Sequence, residues 1–396
     1  MNLSRVHWRR LAAASVATTV LAALAGSPAA AAPPTGEIRH TVGAQAIPNS
    51  YVVVLKDSAV GGRAGTRQAT VRSLAAKLTT RYGGSTGDVY GDALNGFEAR
   101  LPEPAARRLA ADPAVAYVEE NHVIRTTATQ FNPPWGLDRI DQLSLPLSGT
   151  YSWVSQGTGV TAYIIDTGIR ITHPEFSGRA VYGVNTVNGG TNADDCNGHG
   201  THVAGTVGAI TYGVAKNVRL VAVKVLDCGG GGTLTGVITG INWVTAHHST
   251  GQPAVANMSL GGSFSTSLNT IVNNSINDGI TYVVAAGNSA ANACNFSPAS
   301  LPAAITVGAT QANDARPSFS NYGPCVDIWA PGVNIVSTWI GPPTNTLTGT
   351  SMAAPHVAGA AARVLQVNPG WPPAQVESFL VGTAGPTGIV YLPPTY

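Results

Sequence analysis

Gly349-Thr350-Ser351-Met352-Ala353-Ala354-Pro355-His356-Val357-Ala358-Gly359 is the stretch from which the rest of the chain can be read. A serine stands between small residues, and an alanine-rich apolar run follows it. A proline shortly past the serine suits the first turn of a helix, where its missing N–H costs nothing. The pattern predicts a helix with Ser351 at its N-terminus. Free backbone N–H groups and the positive end of the helix dipole favour negative charge there. An acyl-transfer nucleophile benefits from that position because its transition state develops an oxyanion. Taken alone, Ser351 could equally be a plain helix N-cap.

A nucleophilic serine needs a base, and the base needs an orienting acceptor. Tyr163-Ile164-Ile165-Asp166-Thr167-Gly168 reads as an apolar strand ending in Asp-Thr-Gly. Asp166 is thereby placed at the carboxyl end of a strand, the functional edge of an α/β sheet. Asn197-Gly198-His199-Gly200-Thr201-His202-Val203-Ala204-Gly205-Thr206 opens a second Ala/Gly-rich helix with histidine in its first turn. Each stretch has a plainer alternative: Asp166 as a cap, either histidine as a packed residue. Two histidines three apart could also hold a metal, but no His-Glu-x-x-His pattern or carboxylate set accompanies them.

Together, in the chain order Asp, His, Ser, these stretches resemble the subtilase family of serine peptidases, close to its proteinase K-like branch. The resemblance implies Asp166 as orienter, His199 as general base and Ser351 as nucleophile of a triad acting through an acyl-enzyme. His202 is left to packing. The implied fold is α/β, a subtilisin-like parallel sheet with helices on both faces.

Composition agrees with a secreted enzyme. A net charge of +2 gives no reason to expect nucleic acid or an acidic surface as partner. Only 11% of residues are charged, yet 44% are hydrophobic, which suits a compact rather than a disordered chain. Arg5, Arg9 and Arg10 precede an uncharged apolar run from Leu11 to Ala25, and small residues follow to Ala30-Ala31-Ala32. That is the layout of a secretory signal peptide over residues 1–32. Its apolar core is short for a membrane span, and no later run is apolar enough. A monomer is expected, with protein or peptide substrates and neither nucleic acid nor membrane as partner.

Residues 33–50 read as a Pro/Gly-containing linker. From Tyr51 to residue 127 the pattern is β-α-β-β-α-β: strands at Tyr51–Leu55, Asp88–Tyr90, Gly96–Leu101 and Val115–Glu119, helices at Gln68–Tyr82 and Pro104–Ala111. This order predicts a small ferredoxin-like α+β domain. It resembles the inhibitory propeptide of subtilases, through Asn95-Gly96-Phe97 and Ala116-Tyr117-Val118-Glu119-Glu120-Asn121 in particular. From Ala128 strands and helices alternate, as a parallel sheet covered on both faces requires. The catalytic domain is expected over 128–396, with self-cleavage at Thr127–Ala128.

Within the resemblance, Asn288 in Ala286-Gly287-Asn288 falls on the oxyanion-hole asparagine, working with the Ser351 N–H. Ser259-Leu260-Gly261 and the glycines around Gly230 would flank an extended substrate as strands. Leu260, Ala285 and Gly287 would line the pocket for the side chain before the cut, with Phe296 at its far end. Leu234 would border a pocket further out. No charge is available for a pocket floor, so a broad apolar or aromatic preference is expected.

The chain has four cysteines, Cys196, Cys228, Cys294 and Cys325, which allow three pairings. The resemblance implies Cys196–Cys228 and Cys294–Cys325. It also implies a structural calcium ion on Asp327 and the carbonyls of Pro302 and Ala304, with no cofactor for the chemistry. Residues 384–391 are short compared with relatives, so the closing strand is expected to be displaced. Asn257-Met258-Ser259 fits a glycosylation sequon but falls in an expected buried strand. Two rival readings exist. A catalytically dead binding module is disfavoured by the intact site residues. An esterase is disfavoured because no Gly-x-Ser-x-Gly surrounds Ser351.

Overall fold

The structure is a computed structural model describing residues 34–40, 46–61, 66–124 and 127–396. The expected signal peptide, part of the linker and two residues of the expected cleavage junction, Arg125 and Thr126, lie outside these. The chain divides into two compact units, one from residues up to Arg39 with Asn49–Glu119, the other chiefly Glu120–Tyr396.

The first unit is built on β1 (Ile38–Arg39), most of β2 (Ala46–Leu55), α1 (Asp57–Val60), α2 (Arg67–Tyr82), β3 (Ser85–Tyr90), β4 (Gly96–Arg100), α3 (Glu103–Ala110) and most of β5 (Val115–His122). Their sheet order is β1-β5-β2-β4-β3. The four strands expected from sequence lie side by side as β5-β2-β4-β3, with β1 added parallel to β5 at the edge. Apolar residues at helical spacing on α2, Val71, Ala75 and Leu78, meet Val53, Phe97, Leu109 and Val118 in one core.

The second unit opens with a hairpin of β6 (Ala128–Phe131) and β7 (Thr150–Trp153), with α4 (Trp135–Ile140) between them. Then follow β8 (Thr161–Asp166), β9 (Ala180–Asn185), α5 (His199–Gly208), β10 (Arg219–Lys224), α6 (Leu234–His247), β11 (Ala254–Met258), β12 (Gly262–Ser263) and α7 (Thr266–Asn277). The chain continues with β13 (Thr281–Ala285), β14 (Phe296–Ser297), β15 (Ile305–Thr310), β16 (Ile328–Pro331), β17 (Ile335–Thr338), β18 (Thr344–Leu347), α8 (Thr350–Val367) and α9 (Pro373–Thr383). Seven strands form a parallel sheet ordered β16-β15-β13-β11-β8-β10-β9. The central strands are apolar on both faces because both are covered. Along β8, Ala162 and Ile164 point into a core shared with α5 and α8, whereas Tyr163 and Ile165 join the core under α6 and α7. The chain moves outward from β8 to β9 and β10, then crosses to β11 on the other side of β8. That reversal opens a crevice at the carboxyl edge, where ligands bind in such sheets.

α8 runs through the middle of the larger core with every residue buried except Ser351 and Gln366. Small residues permit this. A Cβ on Gly359 would come within 2.6 Å of the Val214 Cβ and 3.0 Å of the Val207 carbonyl. Pro355 lies inside α8, in its second turn rather than the first as the sequence pattern suggested.

The short closing segment stays docked. It pairs with the outer edge of β16 through a single bridge between Trp329 and Ile389 instead of a full strand. Val390 N donates to Trp329 O, Leu392 N donates to Ile140 O, and Ile389, Val390 and Leu392 are buried. Asn257 is buried and donates to Ser259 Oγ at 2.8 Å, so its sequon is closed to modification in the fold.

Arg139 on α4 is fully buried. It grips Asp314 with two hydrogen bonds, Nε to Oδ1 at 2.6 Å and Nη2 to Oδ2 at 3.0 Å, and gives Nη1 to Gln142 O at 2.7 Å. Removing the carboxylate strands a buried cation. Asp314→Asn is therefore expected to lower the unfolding free energy by about 3 kcal/mol in urea titrations. Adding Arg139→Met should restore part of that loss, because the stranded charge goes with it.

Candidate active site

Asp166 ends β8 and is wholly buried. Its Oδ1 accepts from His199 Nδ1 at 2.8 Å and from Thr167 N at 2.7 Å. His199 is the first residue of α5 and keeps about a quarter of its side chain exposed. With Nδ1 donating to Asp166, Nε2 is the acceptor nitrogen of the neutral ring, and His199 lines the larger cleft. Burial alone would lower the His199 pKa, but the charge and hydrogen bond of Asp166, with help from Asp195, outweigh it and hold the pKa above its ordinary value.

Ser351 is the second residue of α8. A helix leaves its first N–H groups without partners inside the helix. Thr350 N donates to Asn288 Oδ1 at 2.9 Å and Met352 N turns back to Gly349 O, so the Ser351 N–H remains for a ligand. Asn288 Oδ1 also accepts from Thr350 Oγ1 at 3.0 Å, which turns its Nδ2 outward. A Cβ on Gly349 would lie 3.4 Å from Asn288 Nδ2 and 3.7 Å from Ser351 N, so the two donors flank one small hollow.

Pro355 explains a further contact. In a regular helix residue 355 would donate its N–H to Ser351 O; proline cannot. Ser259 Oγ takes that place, donating to Ser351 O at 2.8 Å. Ser351 Oγ in turn donates to Ser259 O at 3.0 Å, and among the described residues no hydrogen bond joins it to His199.

The substrate-segment candidates line two adjoining clefts. One, of about 780 Å³, is lined by His199, Gly230, Leu234, Ser259, Leu260 and Gly261 among others. The other, of about 310 Å³, takes in Ser351, Asn288, Ala285, Gly287 and Phe296, and shares the Leu260–Ser263 wall. No ionisable side chain lines the smaller cleft. Cys228–Gly232 is a tight turn and not the expected strand: Gly229 N and Gly231 N both donate to Asp227 Oδ1. Cys196 is bonded to Cys228 and Cys294 to Cys325. The first disulfide ties the segment before His199 to that turn. Asp327 Oδ2 accepts from Thr306 N at 2.8 Å, and Pro302 and Ala304 sit in the loop leading into β15. Among the described residues no cluster of three or more His, Cys, Asp or Glu side chains is placed to hold a metal.

Sequence reasoning missed Asp195, which accepts hydrogen bonds around the start of α5, and Thr350, which aims Asn288. The signal for Asp195 was present: an aspartate just before a helix start is a capping residue by default. His202 does more than pack. Its Nε2 donates to Ile335 O at 3.0 Å and Asn345 O at 3.2 Å, bracing the β17–β18 hairpin. His356 Nδ1 donates to Met352 O at 2.8 Å inside α8. Burial pushes the pKa of each down to about 4. Both are neutral in the fold, while in the unfolded chain each takes a proton near pH 6.5. Between roughly pH 6.5 and 4 the unfolded state binds more protons, so acid erodes stability there, by up to about 3 kcal/mol per histidine. His356→Gln, in a Ser351→Ala background to exclude self-cleavage, should lose visibly less unfolding free energy than its parent across that window. Parallel curves for the two would remove His356 from the acid response.

A model of the subtilase family matches residues 157–392, and a model of the peptidase inhibitor I9 family matches residues 50–127. An extracellular serine proteinase of a Thermus species is 48% identical over 380 residues, spanning 93% of this chain and 92% of that protein. A cuticle-degrading serine protease of Arthrobotrys oligospora is 42% identical over 368 residues, covering 89% of each. The crystal structure of a cold adapted subtilisin-like serine proteinase superposes with a TM-score of 0.63 at 50% identity, covering 66% of this chain and 98% of the other. The chain belongs to the subtilase family and is a serine endopeptidase preceded by an I9-type inhibitory region.

Proposed function

We propose that this chain is a secreted endopeptidase that cuts peptide bonds through Asp166, His199 and Ser351. The observation that carries the reading is the 2.8 Å hydrogen bond from His199 Nδ1 to a wholly buried Asp166, beside a serine at the head of a buried helix. The Ser351 hydroxyl turns from Ser259 O toward His199 Nε2, gives up its proton there and attacks the scissile carbonyl. Asp166 fixes the ring and stabilises the imidazolium. Asn288 Nδ2 and the Ser351 N–H receive the oxyanion, each donor contributing about 10²–10³ in rate. His199 then hands its proton to the leaving amine, and water repeats the cycle on the acyl-enzyme. The smaller cleft, with Leu260, Ala285 and Phe296 and no charged wall, favours apolar or aromatic side chains before the cut.

Residues 1–32 are read as a signal peptide, the propeptide as reaching residue 127 and 128–396 as catalytic domain. The stretch 33–50 expected as linker instead carries β1 and the first half of β2, so the propeptide fold starts before Tyr51. The basic-then-apolar start and the extracellular Thermus relative support export. The Ser351→Ala precursor should remain uncut and inactive on casein. Wild type should instead show an N-terminus at Ala128 or within one or two residues of it. Normal maturation of the variant without added protease, or near-normal turnover, would sink the reading.

Subtilases commonly bind structural calcium, and the residues here suit it. Burial raises the Asp327 pKa against the one N–H that bonds it, so a nearby cation would compensate its charge. Pro302 and Ala304 would add hard carbonyl oxygens. The bound ion would tie the loop before β15 to the start of β16. Calcium removal is expected to lower the thermal midpoint, and Asp327→Ala to abolish most of that calcium dependence. An equal response in the variant would exclude Asp327 from the ligand set.

A further inference from the structure

His199 opens α5, so its ring sits at the positive end of the helix dipole. That end disfavours the imidazolium a general base must become. Gly198, at the N-cap, offers no side chain to receive the first N–H groups. His199 N donates to Asn197 Oδ1 at 3.1 Å, and a buried carboxylate takes the N–H of Thr201 and those of the two residues before the helix. Asp195 is 1% exposed. Its Oδ1 accepts from Asn197 N at 3.0 Å, Gly198 N at 3.0 Å and Thr167 Oγ1 at 2.9 Å. Its Oδ2 accepts from Thr201 N at 2.9 Å and Thr201 Oγ1 at 2.6 Å. Thr167 Oγ1 accepts in turn from Gly200 N at 2.9 Å. One carboxylate thus joins the first turn of α5 to the turn that follows Asp166.

Asp166 needs that help. It holds the ring through Oδ1, and its buried Oδ2 has no hydrogen bond among the described residues. A one-point grip leaves the orientation of the ring to the anchorage of α5. The charged neighbours divide by sign. Asp166 on β8 and Asp195 favour the imidazolium, and the loop carboxylates Asp194 and Asp227 stand further out. Lys224 on β10 opposes them, its Nζ donating to Thr167 O and Leu226 O. Arg170 pairs with Asp194 at 3.8 Å. His202 on α5 and His356 on α8 are neutral, and Glu175 and His173 lie before β9 and pack toward α5.

We propose that Asp195 is a positioning residue of the active site. Its carboxylate locks the start of α5 against the Asp166 turn and offsets the helix dipole at His199, so the ring is both aimed and stabilised when it takes the serine proton. This rests on the reading of His199 as general base.

The test is the pH profile of kcat/KM on a neutral peptide anilide, wild type against Asp195→Asn. Asparagine keeps the shape, removes the charge and replaces one acceptor oxygen by an NH2 that cannot accept from Thr201. We expect kcat to fall roughly ten- to hundredfold with KM within about twofold. The acid limb should move to lower pH by about half a unit or more, since a negative neighbour of the base is gone. An unchanged kcat, or a lower kcat with an unmoved acid limb, would overturn the proposal and leave Asp195 a structural cap. If Asp195→Asn does not fold, Thr201→Val takes its place. It strips a hydroxyl donor from Oδ2, leaves the charge less neutralised, and should move the acid limb upward; an unmoved limb counts against the proposal equally. Labelling with a fluorophosphonate separates the two readings. Failure of wild type to label at Ser351 defeats the triad itself, whereas labelling with an unmoved limb defeats only the role of Asp195.

Discussion

The burial of α8 against the parallel sheet is the constraint on which the rest of this molecule depends. A helix can run through a core with almost every residue covered only if its side chains are small and apolar, and α8 is built largely of alanine, glycine and valine. Its rigidity comes from packing on several strands and on α5 at once. The N-terminus of such a helix is a fixed point in space. Ser351 and its N–H are held there with little freedom, which is the kind of preorganisation that acyl transfer rewards.

A proline in the second turn and a threonine at the first position turn that fixed point into a candidate site. Proline at 355 deletes one hydrogen bond and leaves Ser351 O for Ser259, so the backbone of the proposed nucleophile is tied to a cleft wall. Thr350 spends its N–H and hydroxyl on Asn288, which aims the amide of that side chain at the same hollow as the Ser351 N–H. In the proposed mechanism the helix thereby supplies one oxyanion donor of its own and holds a second, Asn288, which follows β13.

The electrostatic side of the site has a different logic. Two helices, α5 and α8, present their N-termini to the crevice, and both favour negative charge. That suits an oxyanion and penalises an imidazolium. Under the proposed mechanism the buried carboxylates Asp166 and Asp195 would redress the balance for His199, and backbone donors together with the charge of Lys224 offset their desolvation.

The sequence by itself determined the local framework: apolar runs became covered strands, and Ala/Gly-rich stretches became helices beginning at His199 and Thr350. It also carried the α+β pattern before residue 127. These are read from backbone preference and hydrophobic period, which act over a few residues. Only the tertiary structure decided that Pro355 lies a turn further in, that Ser351 bonds to Ser259, that Cys228–Gly232 is a turn, that Asp195 anchors α5, and that the closing segment docks through one bridge. The same holds for Arg139 and Asp314. Ser259 and Ser351 are 92 residues apart, and Arg139 and Asp314 are 175 apart. Such contacts exist because the sheet brings distant strand ends to one edge, and no periodicity within either segment records its partner.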